Sequence, residues 1–392
     1  MQMRQQEQNL FAEIQKKISA LTETQKNLSR ENQILRQYIS ENQIQAEKFN
    51  TELQHKLADN YAAAREADYY YNIDIVGTCS VQCPSCPVGN SADAPTPKGM
   101  MSIETFEEVL DKIKIESPGA RTSVELYNWG ESALHPDLPK FIAAVKNRGF
   151  ICGLSNNLNH VRDMRGLVKA KPDYLRVSIS GFKNETYQQT HRGGDVNNVK
   201  ANLHLLRATM DSYGLDVTQV EIGYLVYRHN FDEDFIAIKH LCDQLHFSFN
   251  WTFSVMMPVE TAIKIAEGKI PKNVEEINDL LVINPAKWKE LTLQYRDYFK
   301  ECDMRPNRTV INFDKSVPLC CGTYLPENYI AQDFLKISHN DLQKKKYEND
   351  LCAKCMENMV DHMFTCVRPP EVDDYAYKEL SKLGTFTGKN GR

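Results

Sequence analysis

Residues 73–89 read IDIVGTCSVQCPSCPVG and set Cys79, Cys83 and Cys86 in the spacing C-x3-C-x2-C directly after a β-like run. Cysteine most often serves as a small buried hydrophobe, but three so close together in one loop cannot all be buried that way. Loops carry function more than packing. Thiolate sulfur is soft and selects zinc, copper(I) or iron in clusters. Tetrahedral zinc asks for a fourth ligand, which this stretch does not offer, and a [4Fe-4S] cluster that only carries electrons also takes four thiolates. Three thiolates leave one iron open to bind and activate a small molecule, as a catalytic zinc keeps an open position. A zinc knuckle is the alternative reading of the same residues.

With this spacing, after a first strand and before a helix, the loop resembles that of the radical S-adenosylmethionine (AdoMet) enzymes. The resemblance implies an α/β fold, a partial (β/α)6 TIM-type barrel. It also implies an open iron that chelates the amino and carboxylate groups of AdoMet. Reductive cleavage then yields methionine and a 5'-deoxyadenosyl radical that abstracts hydrogen. The residue before the third cysteine is commonly aromatic in that family and is Ser85 here.

Downstream, strand-like and helix-like stretches alternate, the pattern of βα units on a parallel sheet. The expected strands are 70–76, 123–127, 151–155, 174–180, 217–227 and 247–255, with amphipathic stretches at 103–115, 138–148 and 197–213 between them. In such folds the chemistry sits at the carboxyl ends of the strands. After the second strand comes Asn128-Trp129-Gly130-Glu131, where the resembled family often has Gly-Gly-Glu. Glu131 and the backbone carbonyls of this segment would there hold the AdoMet ammonium, and Gly130 permits close backbone approach. The third strand ends in Ser155-Asn156-Asn157. Its amides, Asn156 first, suit ribose hydroxyls, although an Asn cluster also makes a turn. On the fourth strand Ser178 and Ser180 share a face by the two-residue period, and His191-Arg192-Gly193-Gly194 follows. In relatives with a cysteine-rich C-terminal extension, a serine and an arginine matching Ser178 and Arg192 hold the AdoMet carboxylate, and Arg suits bidentate binding. Ser180 falls where some relatives carry an acidic residue near substrate. Tyr224, Tyr227, His229, Trp251, Phe253, Met256 and Met257 at the last two strand ends are suited to flank adenine, but strand aromatics are more often core.

Six of the eleven cysteines lie between residues 302 and 366. Cys302, Cys320, Cys352 and Cys355 form C-x17-C-x31-C-x2-C, which resembles the shortened twitch form of the SPASM domain. That resemblance implies an auxiliary [4Fe-4S] cluster with four protein ligands. A structural zinc site satisfies the same spacing, and Cys321 competes with Cys320 as the ligand. Cys366 is a candidate hydrogen donor to a substrate radical, as in epimerising relatives; Cys152 and Cys242 read as inert core thiols.

The first 62 residues contain neither Gly nor Pro and show a repeat by sevens: Ile14, Leu21, Leu28, Leu35, Asn42 and Phe49 on one seam, and Ile18, Gln25, Asn32, Ile39, Ala46 and Leu53 on the other. This is a coiled-coil pattern, expected to self-associate into a homo-oligomer or to dock a partner. The resulting division is a coiled-coil helix 1–62, a barrel 70–258, a helical linker 259–300, an auxiliary-cluster domain 301–370 and a tail 371–392. Hydrophobic residues at 42% and charged residues at 25% fit a globular protein, and a net charge of −5 argues against a nucleic-acid surface. No run approaches the roughly 20 apolar residues of a membrane helix, and the Gln-rich start is not a signal peptide, so the expected place is the cytoplasm with reduced thiols. The expected partners are a small-molecule or peptide substrate and an electron donor such as flavodoxin or ferredoxin. By analogy the expected reaction is oxidation of a sugar-like or aminocyclitol-like alcohol. The alternatives are peptide modification or epimerisation and, in another class, a coiled-coil scaffold with structural zinc.

Overall fold

Six strands form close to the expected places: β1 Tyr69–Asp74, β2 Thr122–Glu125, β3 Ile151–Asn156, β4 Tyr174–Ile179, β5 Gln219–Val226 and β6 Ser248–Phe253. The computed structural model describes residues 67–214, 219–296, 301–364 and 368–383. The coiled-coil reading of 1–62 and Cys366 lie outside the described residues. A seventh strand, β7 Arg308–Asn312, completes one all-parallel sheet in the order β6-β5-β4-β3-β2-β1-β7. The expectation of six units is thereby corrected to seven strands. β7 comes from inside the stretch 301–370, and its pairing partner is β1, with Tyr70 opposite Arg308 and Asp74 opposite Asn312. A five-residue run carries too little periodicity to be assigned to a sheet at the other end of the chain.

The two faces of the sheet differ. Helices cover the outer face: helix Ile103–Glu116 starts on Ser102, whose hydroxyl accepts from Thr105 N, and buries Phe106, Val109, Leu110 and Ile113 at helical spacing. Each such side chain contributes about 1.5–3 kcal/mol by leaving water. The other face is polar. Arg308 Nη1 donates to Asn72 Oδ1 at 2.7 Å, Tyr174 Oη donates to buried Glu221 at 2.9 Å, and Arg176 lies 3.6 Å from the same carboxylate. Beyond β7 the chain forms a small antiparallel pair, β8 Val317–Pro318 with β9 Tyr329–Ala331, and then helices His339–Tyr347, Asp350–Glu357 and Pro370–Lys382. Trp288 Nε1 donates to Met359 O at 2.9 Å, tying helix Pro285–Thr292 to this segment. The described residues, between 67 and 383, fall in one compact unit.

Candidate functional site

The cysteine loop leaves the carboxyl end of β1 and is held by neighbouring elements. Glu131 N donates to Thr78 O (2.8 Å), Gln82 N to Arg192 O (2.8 Å) and Met257 N to Ser85 O (2.9 Å). Ser85 Oγ also bonds Tyr227 Oη at 2.8 Å, so the serine at the family's aromatic position meets an aromatic side chain from the end of β5. Cys86 N donates to Cys83 O at 3.0 Å and the chain enters the short helix Pro87–Asn90. A side chain at Gly89 would sit 2.3 Å from Cys83 O, so only glycine lets that turn lie on the loop. Burial, reinforced by neighbouring anionic groups, pushes the Cys79 and Cys86 thiols up to about 12 and Cys83 well above its usual value. They are neutral thiols that a bound metal would deprotonate.

Two buried carboxylates stand beside them. Asp74 accepts from Trp129 N and Gly130 N at 3.0 Å, and burial raises it to about 6. Glu131 accepts from Ala133 N (3.2 Å) and Asn157 N (2.8 Å), and burial raises it to about 7. Gly130 runs so close to β1 that a Cβ there would lie 1.5 Å from Val76 O. The Asn128 amide, oriented with its nitrogen 3.3 Å from Cys321 O, accepts from Trp129 Nε1 at 3.0 Å.

Of the two asparagines at the end of β3, Asn157 is the one in contact with the cysteine loop. Asn157 Nδ2 lies 3.6 Å from Cys79 Sγ and 3.2 Å from Ser80 Oγ. The only signal for it was its place in the Asn pair. Asn156 Oδ1 accepts from Leu158 N at 2.7 Å, while its buried Nδ2 makes no well-formed hydrogen bond. Ser178 is half-buried on β4, and the Arg192 side chain turns outward to Glu276 at 3.0 Å. Ser180 is enclosed: its Oγ lies 2.6 Å from both Thr190 Oγ1 and His191 Nδ1. His191 stacks on Tyr187 at 4.5 Å, and burial lowers its pKa to about 4.

The His191 environment makes a prediction. Its folded pKa lies below the ordinary value, so protonation favours the unfolded chain. Stability from this group is fully present above pH 6.5 and is lost as pH falls towards 4. Wild-type protein should lose roughly 3 kcal/mol more than His191→Gln across that window, at 1.36 kcal/mol per pKa unit. Urea midpoints measured at a series of pH values check this.

The second cysteine set converges from four places in the C-terminal segment. Cys302 precedes β7, Cys320 follows β8, and Cys352 and Cys355 share helix Asp350–Glu357; all four line one cavity, with Arg305 and Asp361 in its wall. Cys321 is outside that wall, its Sγ 3.5 Å from Met304 Sδ. Burial raises all four thiols, Cys302 to about 11. Among the described residues no three His, Cys, Asp or Glu side chains gather on a single-ion site. In the second set the thiols line a shared space; a cluster, in which each thiolate meets a separate iron, accepts such a donor set. The sets are bridged by residues 257–259: Met257 N reaches Ser85 O, and Val259 N donates to Gly322 O at 2.8 Å.

The family model that matches is that of the Radical SAM superfamily, over residues 73–242, which run from β1 and its cysteine loop into helix Glu233–Leu245. Residues 73–242 are a radical SAM superfamily domain. A curated relative, GTP 3',8-cyclase of Limosilactobacillus fermentum, is 22% identical over 214 residues, 53% of this chain and 59% of the relative. The chain thus matches less than two thirds of that relative's length. Among solved structures, native anSMEcpe with bound AdoMet aligns with TM-score 0.53 and 14% identity over 80% of this chain and 96% of that one. The same protein with AdoMet and the Cp18Cys peptide aligns at TM-score 0.51, with the same identity and coverage. At these identities the likeness is one of fold. The radical SAM domain implies a [4Fe-4S] cluster and AdoMet. Among the described residues no helix is long and apolar enough to cross a membrane.

Proposed function

We propose that the chain is a radical AdoMet enzyme with two clusters. In this reading Cys79, Cys83 and Cys86 hold the [4Fe-4S] cluster that meets AdoMet, and Cys302, Cys320, Cys352 and Cys355 hold an auxiliary [4Fe-4S] cluster in a twitch-like segment. The observation that carries the reading is the convergence of those four cysteines on one cavity, with Cys321 left outside it. When bound, these groups supply a 5'-deoxyadenosyl radical for hydrogen abstraction and an acceptor for one electron. The chain supplies binding and orientation. Glu131 and the backbone at Asn128 and Gly130 would take the ammonium of AdoMet. The Asn156 amide, which also lies beside the Glu131 carboxylate, would meet a ribose hydroxyl. Ser178 and Arg192 would take the carboxylate, for which Arg192 must leave Glu276. That surface ion pair is worth only about 0–1 kcal/mol.

For the substrate, we favour a C–H bond of a peptide or protein side chain, following the peptide-bound fold neighbour. The second reading is the sugar-like or aminocyclitol-like alcohol, for which the polar inner sheet face around Arg176 and Glu221 offers hydrogen-bonding groups. Epimerisation, with Cys366 as hydrogen donor, and an electron donor such as flavodoxin or ferredoxin belong to the same proposal.

The test is iron, acid-labile sulfide and zinc per chain after anaerobic purification. Wild type should hold about eight irons and the Cys79/Cys83/Cys86→Ala variant about four, as two cysteine-ligated [4Fe-4S] clusters require. About four irons with one zinc would remove the auxiliary cluster from the proposal. Zinc without iron, even after cluster reconstitution, would overturn it entirely.

A further inference from the structure

Trp129 stands where the resembled family often has the first glycine of Gly-Gly-Glu. Its backbone contacts the first cysteine site and its side chain the second. Trp129 N and Gly130 N donate to the buried Asp74 carboxylate, and Glu131 N donates to Thr78 O in the cysteine loop. The indole binds a different segment: Nε1 donates to Thr323 O at 2.9 Å, and the ring meets Tyr324 edge-on at 6.1 Å. The preceding Asn128 amide accepts from the same Nε1 at 3.0 Å, with its nitrogen 3.3 Å from Cys321 O. A glycine at position 129 could make none of the indole's contacts.

The turn that receives the indole is tied to the second cysteine set. Thr323 is fully buried, and its Oγ1 donates to Cys320 O at 2.9 Å and accepts from Cys320 N at 3.3 Å. Tyr324 N and Leu325 N both donate to Glu260 on helix Val259–Ala266 at 3.2 Å. Cys320 itself lines the cavity of the second set. A second, narrow cavity lies where the two sites meet. Gly77 and Val88 line it from the first cysteine site, Thr323 and Tyr324 from the turn, and Asp74 and Trp129 complete the wall. Trp129, Thr323 and Cys320 are thus a continuous hydrogen-bonded chain from the segment that would take AdoMet to a thiol of the second set.

We propose that Trp129 is a positioning residue that makes AdoMet binding at the first site depend on the filling of the second. This rests on the two-cluster reading above. Holding Cys320 on a common centre with Cys302, Cys352 and Cys355 fixes the turn at 320–325. Through the indole, that turn fixes the Asn128–Glu131 segment. The bond from Nε1 to Thr323 O transmits position because leaving either buried group unpaired costs free energy. The coupling is reciprocal, so AdoMet in turn favours the filled second set.

The experiment is anaerobic equilibrium dialysis with labelled AdoMet, without reductant so that nothing is cleaved, and with iron counted on the same samples. Trp129→Phe keeps a ring and removes the N–H; Cys320→Ala removes the second centre. Each is expected to weaken AdoMet binding about fivefold or more, the lower end of coupling between sites. Iron should stand at about eight per chain in the first variant and about four in the second. The double variant is expected to bind AdoMet no more weakly than the weaker single variant, because both changes break one link. A mere loss of packing at Trp129 would give effects that multiply, and that result would overturn the inference. Unchanged binding in an iron-loaded Trp129→Phe protein would also overturn it, while leaving the two-cluster reading intact. Iron loss in that variant would make the indole a requirement for assembly and would equally overturn it. Should Cys320→Ala retain no iron at all, Thr323→Val takes its place in the cycle, since it keeps every cysteine and frees the Cys320 backbone from the turn. A wild-type protein holding zinc in place of the second centre's iron would sink the two-cluster reading and the inference with it.

Discussion

Cys79→Ala, Cys83→Ala and Cys86→Ala are each expected to bring 5'-deoxyadenosine release by the dithionite-reduced protein down to background when AdoMet is supplied. In the proposed [4Fe-4S] cluster each thiolate of the loop holds a separate iron and the fourth iron stays open, so losing any one thiolate removes the arrangement. The second set should behave differently. Cys320→Ala is expected to lose about four irons, one [4Fe-4S] cluster, because its thiol lines the cavity shared with Cys302, Cys352 and Cys355. Cys321→Ala is expected to leave iron content unchanged, because Cys321 turns to Met304. Iron analysis and chromatography of the nucleoside product read both. Loss of iron in Cys321→Ala with retention in Cys320→Ala would reverse the ligand assignment.

Gly130→Ala is expected to destabilise the protein by about 3 kcal/mol or more, at the upper end of overpacking effects. The added carbon would sit 1.5 Å from Val76 O and 2.8 Å from Asp74 Oδ1. Neither can yield cheaply, one being backbone and the other a buried acid. Moving the Asn128–Glu131 segment away from β1 would strip Trp129 N and Gly130 N from Asp74 and Glu131 N from Thr78 O. Each buried donor left unpaired adds about 1–3 kcal/mol. The cysteine loop hangs on those contacts, so iron of the first site should fall before iron of the second. Urea midpoints with iron counts on the folded fraction check this, and a variant as stable as wild type would refute the geometry.

Strands β1 to β6 were readable to within about two residues at their ends, because parallel strands covered on at least one side appear as apolar runs between amphipathic helices. β7 was not: Arg308–Asn312 earns its place by pairing with β1, a long-range fact with no local mark. The candidate site divides similarly. Asn156 and Asn157 carry the same amide, and only the approach of the β3 loop to Ser80 decides which one meets Cys79. Strand alternation put Ser180 on the face of Ser178 and the resemblance put it near substrate, while the turn after helix Asn184–Tyr187 packs Thr190 and His191 against its hydroxyl.

By itself, the sequence determined the parallel α/β class and the two cysteine sets, since period and spacing are local properties that survive in any conformation. Tertiary structure alone decided which of Cys320 and Cys321 enters the shared cavity, which asparagine touches Cys79, and which of Lys344, Lys345 and Lys346 is buried. The physical reason is that adjacent residues of like type have identical local preferences. Their surroundings, set by elements brought together from distant parts of the chain, are what differ.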